Sequence, residues 1–447
     1  MSVTQKKKAS FYTLGCRVNQ YETRALEEAF SKNGFDICTF DEKCDVYVIN
    51  TCTVTAESDR KSRQMIRRAR KIGGETTVVM AVGCMVQTST DAVKEMTGLD
   101  YACGTRDKMS VVIKATEFLN KKRRAFEVCP TDFKKYTDIE KMSITGSDTT
   151  RAFLKICDGC NNNCSYCIIP KARGPICSKP QEEVCREVEN LCKNGWREVV
   201  LTGIETAAYG KDTKQTDLGT LVEKVNGLDT ELLRIRLGSL EPAFMKREVV
   251  DKFASCKKLM PHYHLSLQSG CDTVLSAMRR KYNTSQFLKV LCSIRERIED
   301  VTFTTDIIVG FPGETEEMFE ETCEFVKKCG FLYVHIFPYS DRNGTEASNM
   351  PGKISDTEKK RRAARLFKVM LETRRAVLES YKGKTRQMLV ETVNDGVALG
   401  HTDNFIEVKC NIGEKLHIQK NSLLNVVIGE PDEKTEYVHA VLETANE

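Results

Sequence analysis

The chain is predicted to be an α/β protein in three parts. These are an N-terminal doubly wound α/β domain over residues 1–145, a central open (β/α)6 partial barrel over 146–380 and a small β-barrel over 381–447. Three observations predict this. Short apolar runs alternate with amphipathic polar stretches through the first ~145 residues, as in a sheet wound on both faces. Six strand-then-helix units follow between Arg151 and Ser348, too few to close an eight-stranded barrel. Beyond Gly383 the pattern changes to short alternating runs at ~8–12-residue spacing, which a small β-barrel produces. A chain of 447 residues has room for two or three such cores.

In the N-terminal part, Phe11–Leu14, Asp45–Asn50 and Thr77–Val82 read as strands, and each is followed almost at once by a cysteine: Cys16, Cys52 and Cys84. Parallel strands present their carboxyl ends along one edge, where open sheets bind their ligands. Three cysteines far apart in sequence therefore converge as candidate metal ligands. Gly15 and Gly83 stand before two of them and let the backbone turn closely. The plain alternative is three buried cysteines that happen to end strands, and Cys103, after a possible fourth strand at Tyr101–Gly104, competes for a place. The helix-like segment Asp59–Lys71, DRKSRQMIRRARK, carries seven basic residues and is either an RNA contact or a solvated face. Lys121–Arg124 is a second basic run, read first as solvated, and Ser143–Thr150 is a small, polar linker.

The central part opens on Leu154–Pro175, LKICDGCNNNCSYCIIPKARGP. Cys160, Cys164 and Cys167 form a C-x3-C-x2-C array in which one tight loop must bring three thiolates to one metal centre. A structural zinc site closes with four ligands, whereas an iron–sulfur cube held by three cysteines leaves one iron open for chemistry. Cys157 extends the array to C-x2-C-x3-C-x2-C and offers a fourth ligand. Zinc pairs, however, are usually separated by about 12–20 residues, and the pleat of its own strand aims Cys157 away from the loop. The expected strands are Phe153–Ile156, Glu198–Leu201, Leu233–Leu237, Tyr263–Leu267, Phe303–Val309 and Leu332–Phe337. Candidate site residues collect at their carboxyl ends: Gly203 and Glu205, then Ser239 and Glu241, then Gln268, then Gly310 with Asp306 inward on its strand. The Arg342 loop after the last strand offers a phosphate partner. Each alone also reads as a turn or a cap, Glu314 above all. A basic amphipathic helix from Ser355 to Tyr381 leads to short strands at Gln387–Glu391, Phe405–Val408, Lys415–Ile418, Leu424–Ile428 and Tyr437–Leu442.

Composition narrows the classes. Lys and Arg number 68 against 63 Asp and Glu, a formal charge of +5, so nucleic-acid binding has to come from local patches. Twenty cysteines without a secretory h-region predict a reducing compartment. No run approaches the ~18 apolar residues of a membrane span. The expectation is a cytoplasmic protein with no membrane partner.

The C-x3-C-x2-C array with Tyr166 before its last cysteine resembles the radical S-adenosylmethionine (SAM) signature. The run KICDGCNNNCSYCIIPKARGP, with LSLQSGCDTVLSAMRR and TDIIVGFPGETEE, resembles the methylthiotransferases of that superfamily, and among them the MtaB type that acts on tRNA. The likeness covers nearly the whole chain. It implies a partial TIM barrel and a TRAM-like C-terminal barrel that contacts tRNA. It implies two [4Fe–4S] clusters. One, on Cys160, Cys164 and Cys167, binds the amine and carboxylate of SAM at its open iron and cleaves it to a deoxyadenosyl radical. The other, on Cys16, Cys52 and Cys84, carries the sulfur. SAM contacts are expected from Tyr166, Gly203, Glu205, Ser239, Glu241, Gln268, Asp306 and Gly310. The implied reaction adds a methylthio group at C2 of N6-threonylcarbamoyladenosine beside the anticodon. The implied partners are the tRNA anticodon stem-loop and an electron donor such as flavodoxin or ferredoxin. A ribosomal-protein aspartate methylthiotransferase and a non-catalytic metal-stapled RNA-binding protein are the alternatives.

Overall fold

The computed structural model describes residues 6–121, 125–147, 149–413 and 417–443. In the N-terminal part the strands are β1 (Lys7–Thr13), β2 (Phe35–Cys38), β3 (Val46–Thr51), β4 (Val78–Gly83), β5 (Tyr101–Cys103) and β6 (Glu127–Cys129). They form one parallel sheet in the order β2-β1-β3-β4-β5-β6. β3 and β4 are buried along their whole length, as central parallel strands covered on both faces must be. Their alternate residues serve two cores. Val46, Val48 and Met80 meet Leu26 and Phe30 of helix Arg17–Lys32 and Phe118 of helix Ser110–Asn120. Tyr47, Ile49 and Ala81 meet Met65 and Ile66 of helix Ala56–Gly73 on the other face. The sequence pattern misses β2 and β6, which are short edge strands of four and three residues with mostly unburied positions.

The central part holds β7 (Arg151–Asp158), β8 (Cys177–Ser178), β9 (Glu198–Gly203), β10 (Arg234–Leu237), β11 (His262–His264), β12 (Thr302–Val309) and β13 (Tyr333–Pro338). β7, β9 and β10 pair in parallel, as do β11, β12 and β13. Parallel bridges Ile235–Leu259 and Leu240–Leu265 join the two groups into one open, six-stranded wall. β8 is a two-residue antiparallel addition to β7.

Helix Asp356–Glu379 leads into a closed barrel of β14 (Thr385–Asn394), β15 (Val397–Thr402), β16 (Glu407–Asn411), β17 (Leu423–Pro431) and β18 (Val438–Leu442), in the order β14-β15-β16-β18-β17. β15 replaces the strand expected at Lys415–Ile418. Lys415 and Leu416 lie outside the described residues, and His417 and Ile418 belong to no strand. The overlooked signal is the Asp395-Gly396 pair, both with positive φ (+49° and +73°), the turn chemistry of a two-residue hairpin. This barrel is pinned to the central wall by arginines at the start of β10. Arg234 donates to the carbonyls of Gln387 (2.6 Å) and His401 (3.1 Å), and Arg236 to those of Thr402 and Asp403 (2.9 Å each). Phe405 stacks on His262 and His401 at 4.5 and 4.7 Å. Among the described residues no helix is long and apolar enough to cross a membrane. Residues 122–124 of the second basic run and Asp148 of the expected linker fall outside the described residues.

Candidate metal centres and cofactor cavity

Cys16, Cys52 and Cys84 follow the carboxyl ends of β1, β3 and β4, adjacent strands in the sheet. The three thiols are electrostatic neighbours: the charge of Cys84 bears on both Cys16 and Cys52, and that of Cys16 on Cys52. Gly15 and Gly83 have positive φ, +98° and +101°. A side chain on Gly15 would run into Cys52, whose Sγ lies 2.9 Å from the site of a Cβ. Cys103 stands apart in the hydrophobic core around Val111 and Phe118, its thiol toward the Asp107 carbonyl.

Beneath this triplet lies a fully buried ionic network that joins the N-terminal sheet to the central wall. Glu22 on helix Arg17–Lys32 takes Arg173 at 2.7 Å, Lys155 at 2.8 Å and Lys108. Asp158 takes Lys155 at 3.0 Å and Arg173 at 3.1 Å. Burial pushes the Glu22 carboxyl up, but Arg173, Lys108 and Lys155 outweigh it and hold it well below the usual range. Three cations thus face two carboxylates, and the remaining charge is directed at thiols: Arg173 acts on both Cys16 and Cys84. Burial raises the Cys16 thiol, and Arg173 and a hydrogen bond with Asn19 partly reverse that. A site with a surplus cation beside converging thiols suits a thiolate-bound centre.

Cys160, Cys164 and Cys167 lie on the loop between β7 and helix Ile169–Arg173. The loop is tied down by Cys160 N–H donating to the Gly174 carbonyl (3.0 Å) and Ser165 N–H to that of Met278 (3.2 Å). Burial pushes the thiols of Cys160 and Cys167 to about 11 and about 12. Sequence reasoning missed Arg280, which donates to Cys164 Sγ at 3.2 Å and through Nη2 to both Glu241 oxygens at 2.8 Å. Its signal is the second arginine of LSLQSGCDTVLSAMRR, a basic residue placed after an expected strand end. Cys157 is buried, and its Sγ lies 3.4 Å from the Glu205 carbonyl. Neither cysteine triplet is drawn in as a single ion would draw it. Tetrahedral zinc with Zn–S bonds of about 2.3 Å brings thiolates to roughly 3.8 Å of one another. Among the described residues the one His/Cys/Asp/Glu group whose ligand atoms all lie within 4.8 Å is His264, Asp306 and His335.

The expected SAM residues divide into two groups. Glu205 and Glu241 line a cavity of ≈ 260 Å³ together with Asn161, Asn162 and Lys281. Burial, then the neighbouring Glu241, pushes the Glu205 carboxyl to about 7, while Asn162 Nδ2 donates to it at 3.0 Å. Gln268 and Asp306 sit on neighbouring elements: Gln268 N–H donates to the Asp306 carbonyl at 2.8 Å, and Gln268 has a positive φ of +74°, strain that a well-determined site sustains. His264 Nε2 lies 3.2 Å from Asp306 Oδ2, and its Nδ1 meets Thr304 Oγ1 at 3.0 Å. Tyr166 packs against the cluster of Cys271, Met278 and Phe311, and Ser239 is exposed. Two glycines have tight surroundings of their own: Cys157 Sγ fills the place of a Gly203 side chain, and Lys359 that of Gly310, whose φ is +73°. Arg342, read from the sequence as a phosphate partner, is occupied by Asp59 and by Thr53 Oγ1 (2.7 Å) and ties the central part to the N-terminal part.

A second, larger cavity of ≈ 660 Å³ lies inside the central wall, floored by the C-terminal barrel and lined by Arg17, Arg151, Phe153, Arg236, His264 and His335 among others.

Residues 154–326 match the Radical SAM superfamily, and residues 8–104 match the uncharacterized protein family UPF0004. The chain is 36% identical over 405 residues to threonylcarbamoyladenosine tRNA methylthiotransferase MtaB of Bacillus subtilis, covering 89% of each. It is 32% identical to tRNA-2-methylthio-N(6)-dimethylallyladenosine synthase of Clostridium botulinum, covering 91% of this chain and 93% of that one. Its fold is shared with the radical S-adenosylmethionine methyltransferase TsrM of Kitasatospora setae, with a TM-score of 0.57 at 15% identity over 77% of both chains. With identity above three tenths across about nine tenths of its length, and with the three-cysteine loop in its matching segment, the chain belongs to the radical SAM methylthiotransferase family.

Proposed function

We propose that this protein is a tRNA methylthiotransferase that places a methylthio group on C2 of N6-threonylcarbamoyladenosine next to the anticodon. The observation that carries the reading is the near full-length similarity to a methylthiotransferase named for that nucleoside, joined to two separate thiol triplets in one chain. Cys160, Cys164 and Cys167 would hold a [4Fe–4S] cluster and Cys16, Cys52 and Cys84 a second. The first supplies reductive cleavage of SAM and the second sulfur. Around them the chain's own groups position and shelter. Glu205 and Glu241 offer carboxylates to an ammonium and to ribose hydroxyls in the ≈ 260 Å³ cavity. Arg280 holds Glu241 beside Cys164. Tyr166, Gly203, Ser239, Gln268, Asp306 and Gly310 would complete the cofactor contacts.

The division at 1–145, 146–380 and 381–447 follows the chemistry: a sulfur-carrying sheet, a radical-forming wall and an RNA-contacting barrel. An electron donor such as flavodoxin or ferredoxin and the anticodon stem-loop are the partners this reaction requires, and a cytoplasmic location fits them. Lys61, Arg67 and Lys71, exposed on the helix that follows Cys52, are the basic groups offered to a phosphate backbone. Mass spectrometry of tRNA nucleosides from cells lacking this protein tests the reading. Loss of the methylthio form of threonylcarbamoyladenosine alone is expected. An unchanged nucleoside profile, or loss of the dimethylallyl counterpart instead, overturns the substrate assignment.

A further inference from the structure

The ≈ 660 Å³ cavity has on its wall a cation, Arg17, that makes no contact ion pair among the described residues, Asp306 acting on it only at longer range. Arg151 pairs with Glu391 at 3.4 Å, Arg236 with Glu198 at 2.7 Å and Arg374 with Glu407 at 3.3 Å. Arg17 has no carboxylate within 4.0 Å among the described residues. The contact it does make is with the Phe153 ring, 5.4 Å from its guanidinium carbon. Arg17 opens to solvent on the cavity wall, with Arg151 and Arg236 as like charges near it and Asp306 as the acid that opposes them at longer range. Its planar fork is free to take a carboxylate in bidentate fashion. Arg17 is also the residue directly after Cys16. C2 and C6, the carbon that bears N6, belong to the same six-membered ring of adenine. A base whose C2 lies beside the Cys16 triplet therefore carries its N6 substituent to within a side chain's reach of Arg17. His264 and His335 on the cavity wall add ring nitrogens to which a carbamoyl or hydroxyl group can bond. The same two histidines with Asp306 have a spacing that would suit a divalent cation, but Arg17 and Arg236 beside them make this cavity a poor place for one.

Resting on the threonylcarbamoyladenosine reading, we propose that Arg17 is a specificity-determining residue. Its guanidinium receives the threonyl carboxylate inside the cavity, and an apolar N6 substituent leaves it unsatisfied. The test compares anticodon stem-loop RNA bearing threonylcarbamoyladenosine with the same RNA whose threonyl carboxylate is a methyl ester. The ratio of kcat/KM for acid over ester cancels any loss of cluster caused by a change next to Cys16. Equilibrium binding of the two RNAs gives the same ratio without turnover. The wild-type protein is expected to favour the acid roughly 10- to 100-fold, Arg17→Ala to bring the ratio near one, and Arg17→Lys to restore part of it. A wild-type ratio near one, or a ratio that Arg17→Ala leaves unchanged, overturns the proposal. Failure of the wild-type protein to methylthiolate the acid RNA at all overturns the substrate reading beneath it, which is a separate result.

Discussion

The two thiol triplets of this chain are built in opposite ways. Cys160, Cys164 and Cys167 come from one loop of eight positions, closed by backbone bonds to Gly174 and Met278. Cys16, Cys52 and Cys84 come from the ends of three strands and exist as a group only when the sheet is formed. Their surroundings differ too. The loop triplet has Glu205 and Glu241 close by and one arginine, Arg280, between it and Glu241. The strand triplet has Arg173 below it and Arg17 beside it. The first environment suits a ligand with a positive end, and the second suits thiolates and an anionic substituent. Proximity in sequence makes a site robust, whereas assembly by the fold makes it conditional.

Single-thiol removal breaks the comparison most sharply. Cys164→Ala is expected to abolish 5′-deoxyadenosine formation from SAM while about half of the iron remains on the strand triplet. Cys84→Ala is expected to keep deoxyadenosine formation and lose the methylthio product. Nucleoside chromatography of reconstituted proteins reads both. Deoxyadenosine from the Cys164 variant would remove the division of labour between the triplets.

Next in size is the ionic network on which the strand triplet depends. Glu22→Ala leaves Lys108, Lys155 and Arg173 around an empty centre, and removing one partner of a buried pair costs about 3–5 kcal/mol. The thermal midpoint should fall. Iron should leave the strand triplet first, because Arg173 is the group that links the network to Cys16 and Cys84. Equal loss of iron from both triplets would mean the network supports the chain as a whole rather than the conditional site. None of this network was legible in the sequence. Glu22, Lys108, Lys155, Asp158 and Arg173 look like ordinary surface charges on helices and strand ends, since pattern reading has no measure of a partner 86 to 151 residues away. The placement of the three cysteines along one sheet edge was legible, because each follows a run of β-formers, two of them buried throughout as central parallel strands are. Edge strands β2 and β6 were not, since half-exposed short runs carry little periodicity. Arg342 shows the same limit: a basic loop residue reads as free for phosphate until Asp59 is seen across the interface.

A smaller effect separates the electrostatics of the two sites. Burial holds the Glu205 carboxyl at about 7, above its ordinary 4.5. The folded protein therefore binds this proton more tightly than the unfolded chain. The resulting stability is fully present below pH ~4.5 and is lost as pH rises through ~7. Glu205→Gln removes the dependence. Relative to wild type the variant should gain at most roughly 3 kcal/mol between those limits, seen as thermal midpoints that diverge with rising pH. Parallel curves for the two proteins would show that Glu205 titrates in the fold as it does in the unfolded chain, so that the loop triplet has an ordinary carboxylate beside it rather than one held protonated by burial.

The smallest expected effect concerns the one cysteine that blurs the contrast between three ligands and four. Cys157 extends the loop array to C-x2-C-x3-C-x2-C, and with four thiolates the site would be closed, with no open position for SAM. Its side chain is committed elsewhere: Sγ faces the Glu205 carbonyl at 3.4 Å and fills the space left by the absent side chain of Gly203. Burial raises its thiol well above the usual range, as it raises those of Cys160 and Cys167, so it is position rather than acidity that sets Cys157 apart. Replacing it with Ala deletes one buried sulfur and leaves a cavity smaller than a methylene pair, a cost of about 1 kcal/mol. The variant should keep the iron of its loop cluster and its deoxyadenosine output, whereas Cys160→Ala should lose both. If Cys157→Ala instead emptied the site, the loop would be a closed four-thiolate staple, and the radical chemistry assigned to it would have no iron to act from.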